Sequence, residues 1–263
     1  MIVTTYRIPY KYGDVFKLKP IADVHWGNKY CDKRALKEYL ADSDGKTYFL
    51  SPGDLFDSIV VPDKRYRKHI DDNFGEDIID QAVNSLHEVL KPYKKRIIGL
   101  GNGNHEEEYL KRTGSNPTKR LCELLGCEYL GYSWLLRLMF SQNGGQGRTV
   151  IVRGHHGWGG GSRTQGADLT KYSKDTTYWD ADLFLYGHVH RKQSDRVPRL
   201  GLVGEKLVSK PKLIGICGTF LKTYSDTIDA TYSEMKGYPP VEVGGITVNI
   251  KPHRQWVKMW IDV

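Results

Sequence analysis

No apolar run in these 263 residues approaches the ~18 that a bilayer-spanning helix requires, so no membrane-spanning helix is expected. Cysteine is scarce: Cys31, Cys122, Cys127 and Cys217 are too few and too scattered for a disulfide framework. Cys122 and Cys127 lie five apart with no second pair to complete a zinc site, and read as incidental thiols. The opening stretch, MIVTTYRIPYKYGDVFKLKP, lacks the basic cluster, apolar core and cleavage site of a signal peptide, so a cytoplasmic protein is expected. Internal repeats are absent and no linker divides the chain. One domain over residues 1–263 is therefore expected. Acidic residues are the minority: 31 against 39 basic ones, a net charge of +8. A positive surface raises the local concentration of anions. It fits nucleic acid, nucleotides or other phosphates without choosing among them.

What is present is an ordinary globular composition, 39% hydrophobic and 27% charged. Apolar runs read as strands at 16–23, 47–54, 96–102, 149–156, 182–189 and 212–220. Helical patterns separate the early ones. Asp32 is placed to cap a helix over Lys33–Leu40. Glu76–Leu90 repeats apolar residues at a 3.6 period. Asn116-Pro117 opens a helix over Thr118–Leu125, and Gly126 stops it. Later, Tyr129–Phe140 and Arg148–Arg153 read as antiparallel strands joined by SQNGGQG, and GGITVNIKP with QWVKMWIDV as a second strand pair. The pattern predicts an α/β fold with β-α-β crossovers first and antiparallel additions later. The stretch GWGGGSRTQGADLT (157–170) reads as a loop whose glycines let backbone N–H groups approach phosphate, with Arg163 a candidate substrate contact. The segment Tyr224–Glu242 reads as a substrate flap or a subunit contact, without a physical argument for either.

Five short clusters share one placement, the C-terminal end of an apolar strand. They are Asp23-Val24-His25, Gly53-Asp54-Leu55-Phe56-Asp57, Gly103-Asn104-His105-Glu106, Gly154-His155-His156 and Gly187-His188-Val189-His190. Ligands of open α/β sheets bind beyond the carboxyl ends of the strands. Aspartate, asparagine and neutral histidine offer donors suited to manganese, iron, nickel or zinc. In D-x-H and H-x-H, extended residues i and i+2 point the same way, so both side chains reach one ion or two neighbouring ones. Each cluster alone is weak; five in this placement are not coincidence.

The clusters resemble the calcineurin-like metallophosphoesterases. IADVH, SPGDLFD, GNGNHE, GHH and YGHVH are similar to that family's five blocks, in its order, over roughly residues 16–190. The resemblance implies a four-layer sandwich of two mixed β-sheets flanked by helices. It implies that Asp23, His25, Asp54 and His190 hold one metal and Asp54, Asn104, His155 and His188 the other, Asp54 bridging. His155 is the expected ligand of the histidine pair, with His156 the fallback. His105, next to Asn104, is expected at the edge of the metals as a catalytic group, with Asp57 hydrogen-bonded to it.

Two divalent ions neutralise an anionic phosphoester, orient it and lower the pKa of a bound water, so attack by metal-bound hydroxide is the expected mechanism. Manganese is the favoured activating metal. The protein serine/threonine phosphatase branch carries an arginine where Ser58 stands here. The GDLFD block and the Asp-Val-His-Trp-Gly opening are more similar to the DNA-repair exonuclease branch. About 70 residues follow His190, few for that branch's extra domains. A phosphodiesterase or nuclease, with DNA, RNA or a nucleotide as partner, is therefore expected. A phosphomonoesterase of small molecules is the alternative. A non-catalytic binding protein is the remote one, since neither His105 nor any expected ligand is missing.

Overall fold

A computed structural model describes residues 1–58, 78–142, 147–225, 230–253 and 256–263. In chain order, the first half comprises β1 (Ile2–Pro9), β2 (Phe16–Ala22), α1 (Lys33–Ala41), β3 (Thr47–Gly53), α2 (Ile78–Leu90), β4 (Ile97–Gly101), α3 (Asn104–Thr113), α4 (Pro117–Leu125) and β5 (Glu128–Gly131). Next come β6 (Ser133–Ser141), β7 (Arg148–His155), α5 (Ala167–Ser173), α6 (Asp175–Tyr178), β8 (Leu183–Tyr186), β9 (Lys192–Val197), β10 (Leu200–Val203) and β11 (Lys206–Ser209). The chain ends with β12 (Lys212–Thr219), α7 (Tyr232–Met235), β13 (Gly244–Gly245), β14 (Thr247–Pro252) and β15 (Val257–Asp262).

The strands form two mixed sheets and a separate β10–β11 hairpin. One sheet runs β15-β14-β2-β3-β4-β5, parallel from β2 to β5 and antiparallel through β14 and β15. The other runs β1-β6-β7-β8-β12-β13, with β9 also paired to β12. Between the sheets, Phe16, Leu18, Leu50 and Val248 of one face Trp134, Leu136, Val152 and Leu185 of the other. The outer face of the first sheet is covered by α1, α2 and α4 through Leu36, Leu40, Val83, Leu86, Leu121 and Leu125. On the outer face of the second, Tyr172 of α5 packs with Phe184, Tyr186, Ile214 and Ile216. Full burial of each such apolar side chain contributes about 1.5–3 kcal/mol, which is what fastens the layers. The result is the expected four-layer sandwich.

Local chemistry sets the boundaries. Asp32 accepts from the N–H of Ala35 at 2.9 Å and Asn116 from that of Lys119 at 3.0 Å, caps worth about 1 kcal/mol each. Gly126 ends α4 in the left-handed region at φ 68°. Residues 76 and 77 of the expected second helix, and most of SQNGGQG, lie outside the described residues.

The single strand expected over Tyr129–Phe140 is two strands in different sheets. Gly131, at φ 69°, ends β5 in one sheet, and β6 begins two residues later in the other. Hydropathy is continuous across this crossing because both strands face the same intersheet core. The glycine-rich stretch is a loop only to Gly166, after which α5 begins. Among the described residues, no helix is long and apolar enough to cross a membrane.

Candidate metal centre

The ends of β2 and β3 interlock before their side chains diverge. Asp23 N–H donates to Gly53 O, and Val24 and His25 N–H both donate to Asp54 O, at 2.7 and 3.1 Å. Five of the clustered residues sit in the left-handed region: Asp23, His25, Asp54, His188 and His190, with φ between 48° and 72°. For non-glycine residues this costs on the order of 1 kcal/mol or more each, and such strain gathers at functional sites. Here it turns the side chains inward as each strand ends.

Glycines make room for them. A Cβ on Gly103 would overlap the Asp54 carboxylate, and one on Gly53 would overlap the backbone of Asn102 and Gly103. Glu106, fully buried in the first turn of α3, draws these strand ends together. Its carboxylate accepts from the N–H groups of Asp54 (3.1 Å), Phe56 (2.9 Å) and Gly103 (2.8 Å). Burial and the nearby Asp54 carboxylate push Glu106 up to about 8, against the three N–H bonds that favour its ionised form. Sequence reading passed over Glu106. Its spacing from Gly103 is that of a capping box, which was the available signal.

Among the described residues three groups of side chains converge, one of them His25, Asp57 and His105. In another, Asp23, His25 and His190 bring one ligand-type atom each within 4.8 Å of the others. The His25 and His190 Nε2 atoms are 3.2 Å apart, and His190 Nε2 is 3.4 Å from Asp23 Oδ1. In the third, Asp54, His156 and His188 do the same around Asn104. Asn104 Oδ1 is met by His156 Nε2 at 2.9 Å and His188 Nδ1 at 2.8 Å, and His156 Nε2 lies 3.2 Å from Asp54 Oδ2. Converging imidazole nitrogens, carboxylates and an amide oxygen are the donor types that bind divalent cations. The donor set therefore fits metal ions.

His155 stands outside this convergence. Its Nδ1 accepts from Gly157 N–H at 2.9 Å, and its ring packs edge-on against Tyr132 and Trp158. Burial and the neighbouring Arg153 push it down to about 4. His155 is the last residue of β7, where successive side chains alternate between faces, so its neighbour His156 takes the inward position. The geometry thus brings the fallback residue of the pair into the cluster. Burial alone would lower His156, but Asp54 outweighs it and raises the imidazole to about 9. Burial likewise opposes ionisation of Asp54, yet His156 and His105 hold its carboxyl well below the usual range.

The Asp57 carboxylate serves His25 more closely than the expected His105. It lies 3.2 Å from His25 Nδ1 and accepts from Asn28 Nδ2 at 3.0 Å, leaving His25 Nε2 for the cluster. His105 Nδ1 is instead 2.6 Å from the Asp57 backbone oxygen and 3.5 Å from its carboxylate. His105 lines a cavity that opens on the cluster, and among the described residues no hydrogen bond is made by its Nε2. Burial would lower His105, but Asp54 and Asp57 outweigh it and raise its pKa. Arg163 is exposed outside the cavity lining and donates to Lys236 O at 3.3 Å, whereas Arg191 and Lys222 line the cavity.

The sequence profile of one family, described as calcineurin-like phosphoesterase, matches residues 16–192, which carry every one of these clusters. The chain belongs to that family. Family membership and the clusters together make it a metal-binding hydrolase of phosphoester bonds. Among curated proteins, none matches the chain by sequence. Three solved structures are similar to this phosphoesterase at low identity. Vps29 from Cryptosporidium parvum aligns at 14% identity over 94% of this chain and 97% of its own, with a TM-score of 0.37. A 5′-nucleotidase precursor from Thermus thermophilus aligns at 9% identity over 94% of this chain and 54% of its own, with a TM-score of 0.41. A metallophosphoesterase from Sphaerobacter thermophilus aligns at 14% identity over 94% and 89%, with a TM-score of 0.36.

Proposed function

We propose that this chain hydrolyses phosphodiesters, of a nucleotide or nucleic acid, using two divalent metal ions. Asp23, His25, Asp54 and His190 would hold one ion, and Asp54, Asn104, His156 and His188 the other. The observation that carries the reading is that members of both groups, His25 and His190 of one and Asp54, Asn104 and His188 of the other, line one cavity with His105. When bound, the ions supply charge neutralisation for the phosphate and acidify water. The chain's own residues do the rest. Asp57 and Asn28 hold the His25 tautomer, and Glu106 fixes the backbone of Asp54. The hydrogen bond that His105 Nδ1–H donates to Asp57 O holds that proton in place and leaves Nε2 as the nitrogen that gains and loses one. Protonated at Nε2 as well, the imidazolium is suited to protonating the leaving oxygen. In hydrolysis a water that has lost one proton to solvent adds its oxygen to phosphorus, one ester P–O bond breaks, the departing oxygen takes the proton from His105, and solvent returns a proton to His105.

Metal-stripped protein resupplied with Mn²⁺ is incubated with bis-p-nitrophenyl phosphate, p-nitrophenyl phosphate and end-labelled DNA, beside Asp54→Asn. Hydrolysis of the diester by the wild type alone supports the reading. Turnover of p-nitrophenyl phosphate with the diester intact makes the chain a monoesterase. Inertness towards all three with Mn²⁺, Fe²⁺, Ni²⁺ and Zn²⁺ sinks the catalytic reading.

A further inference from the structure

The cavity beside the clusters encloses about 380 Å³, near the small end of the range for pockets that hold a single small molecule. The metal-facing groups line one side of it. A facing stretch of the lining, from Leu221 to Thr223 and from Thr231 to Val241, mixes apolar Leu221, Pro239 and Val241 with Lys222, Thr231, Ser233 and two tyrosines. Gly160, Gly161 and Ser162 of the glycine-rich loop form a further side.

That loop is pinned from beneath. Asp168, 1% exposed, accepts from Ser162 N–H at 3.1 Å. Its carboxylate lies 3.4 Å from Lys171 Nζ and 3.8 Å from Arg191 Nε. Arg191 also donates to Ser162 O and, at 3.5 Å, to Thr164 O, while Lys171 Nζ donates to Gly160 O at 3.3 Å. Arg191 directly follows His190, so the loop is tied to the strand end that carries a candidate ligand. The facing wall is tied too. Tyr224 Oη donates to Tyr238 O at 2.8 Å, and Arg163 reaches from the loop to Lys236 O across the rim.

A strand of nucleic acid threading a site occupies a groove of several nucleotides with stacking platforms along it. Among the described residues, this cavity offers room for one such unit, bounded by two tethered walls. We propose that the site takes a compact phosphoester that carries one group about the size of a nucleoside, its planar apolar part against Tyr232 and Tyr238. Arg191 and Asp168 are the positioning residues that set this limit, by holding Gly160–Ser162 in place. The inference rests on the phosphoesterase reading and narrows its substrate.

The test compares bis-p-nitrophenyl phosphate, thymidine 5′-(p-nitrophenyl phosphate) and single-stranded DNA on Mn²⁺-loaded wild type, Arg191→Ala, Arg191→Lys and Asp168→Asn. Wild type is expected to favour the nucleoside ester over DNA by at least about tenfold in kcat/KM. In Arg191→Ala and Asp168→Asn, KM for the nucleoside ester should rise about tenfold while kcat and bound metal change less than about twofold. Arg191→Lys, which keeps the charge but loses the fork onto two carbonyls, should fall between. Internal cleavage of DNA by the wild type at the rate of the nucleoside ester overturns the proposal. So does a KM rise in Arg191→Ala that Asp168→Asn does not share, since Arg191 would then grip phosphate directly. Should the wild type cleave none of the substrates, the phosphoesterase reading fails separately. The pocket is then judged by tyrosine fluorescence on titration with thymidine 5′-monophosphate, where an absence of saturable binding overturns it. Thermal melts identify any variant that fails to fold, and Arg191→Lys, the mildest change, then carries the comparison.

Discussion

Removing each histidine of the Gly154-His155-His156 run in turn separates a ligand from a packing residue. In the metal-free protein, Asp54 raises His156 to about 9 from an ordinary 6.5. A base whose pKa rises on folding contributes stability that is complete below its unfolded value and lost as pH climbs through the folded one. For His156, which has 0% exposure, the shift corresponds to about 3 kcal/mol. Metal-free His156→Ala should therefore be about 3 kcal/mol less stable than wild type at pH 6, beyond any cavity cost, and that part of the difference should fade as pH approaches 9. With metal supplied at neutral pH, its affinity should drop by about a hundredfold or more, because loss of even an outer partner of a ligand costs 10–100-fold. His155→Ala removes ring contacts with Tyr132 and Trp158 and no cluster atom. It should lower stability by an amount that shrinks modestly as pH falls towards 6, opposite in direction to His156→Ala, because the unfolded imidazole takes up a proton that folded His155 refuses, and leave metal affinity within about threefold. Urea unfolding of the chelator-treated protein at several pH values, paired with calorimetric Mn²⁺ titration, reads both quantities. The reasoning is refuted if His155→Ala loses metal while His156→Ala keeps it, or if the His156→Ala deficit is flat with pH.

Gly103→Ala should cost about 1–3 kcal/mol in urea unfolding, since the new methyl overlaps the Asp54 carboxylate; an unchanged midpoint would show that the strand ends have slack. Asn28→Ala removes a hydrogen bond from Asp57, which holds His25, and should weaken metal binding about tenfold by calorimetry; full affinity would free Asp57 from that dependence. Glu106 keeps its proton in the folded chain where the unfolded chain has released it, between pH 4.5 and about 8. Its contribution therefore makes metal-free stability fall as pH rises through that window. Glu106→Gln should flatten the slope, and an identical pH profile for variant and wild type would remove Glu106 as its source.

The site's inventory was legible in sequence because metal chemistry restricts residue types and strand ends restrict where they stand. Asp23 and His25, spaced by one, needed only the end of an apolar run to be placed. His188 and His190 were read by the same reasoning. The choice between His155 and His156 was not legible in that way, because both are histidines after a glycine. It turns on which residue of β7 faces inward, and that face is set by packing β7 between β6 and β8. The partner of Asp57 escaped for a similar reason. Its carboxylate and carbonyl diverge towards His25 and His105, and only the folded loop says which atom goes where.

The sequence by itself determined the α/β class, through the periods of its apolar residues, and the donor types of the site; the four-layer sandwich followed from the family resemblance. Tertiary structure decided the break at Gly131 that sends β5 and β6 into different sheets, invisible to a hydropathy pattern that both share. It likewise decided the part played by Glu106, whose three N–H partners come from segments about 50 residues apart. Sequence left Tyr224–Glu242 open between a substrate flap and a subunit contact; the fold brings Tyr238, Pro239 and Val241, with Leu221–Thr223, into the cavity lining. Those residues meet the metal cluster only because β12 lies beside β8. Periodicity and side-chain chemistry are local and can be read along the chain. Proximity between distant segments depends on how the layers pack, which no stretch of sequence carries alone.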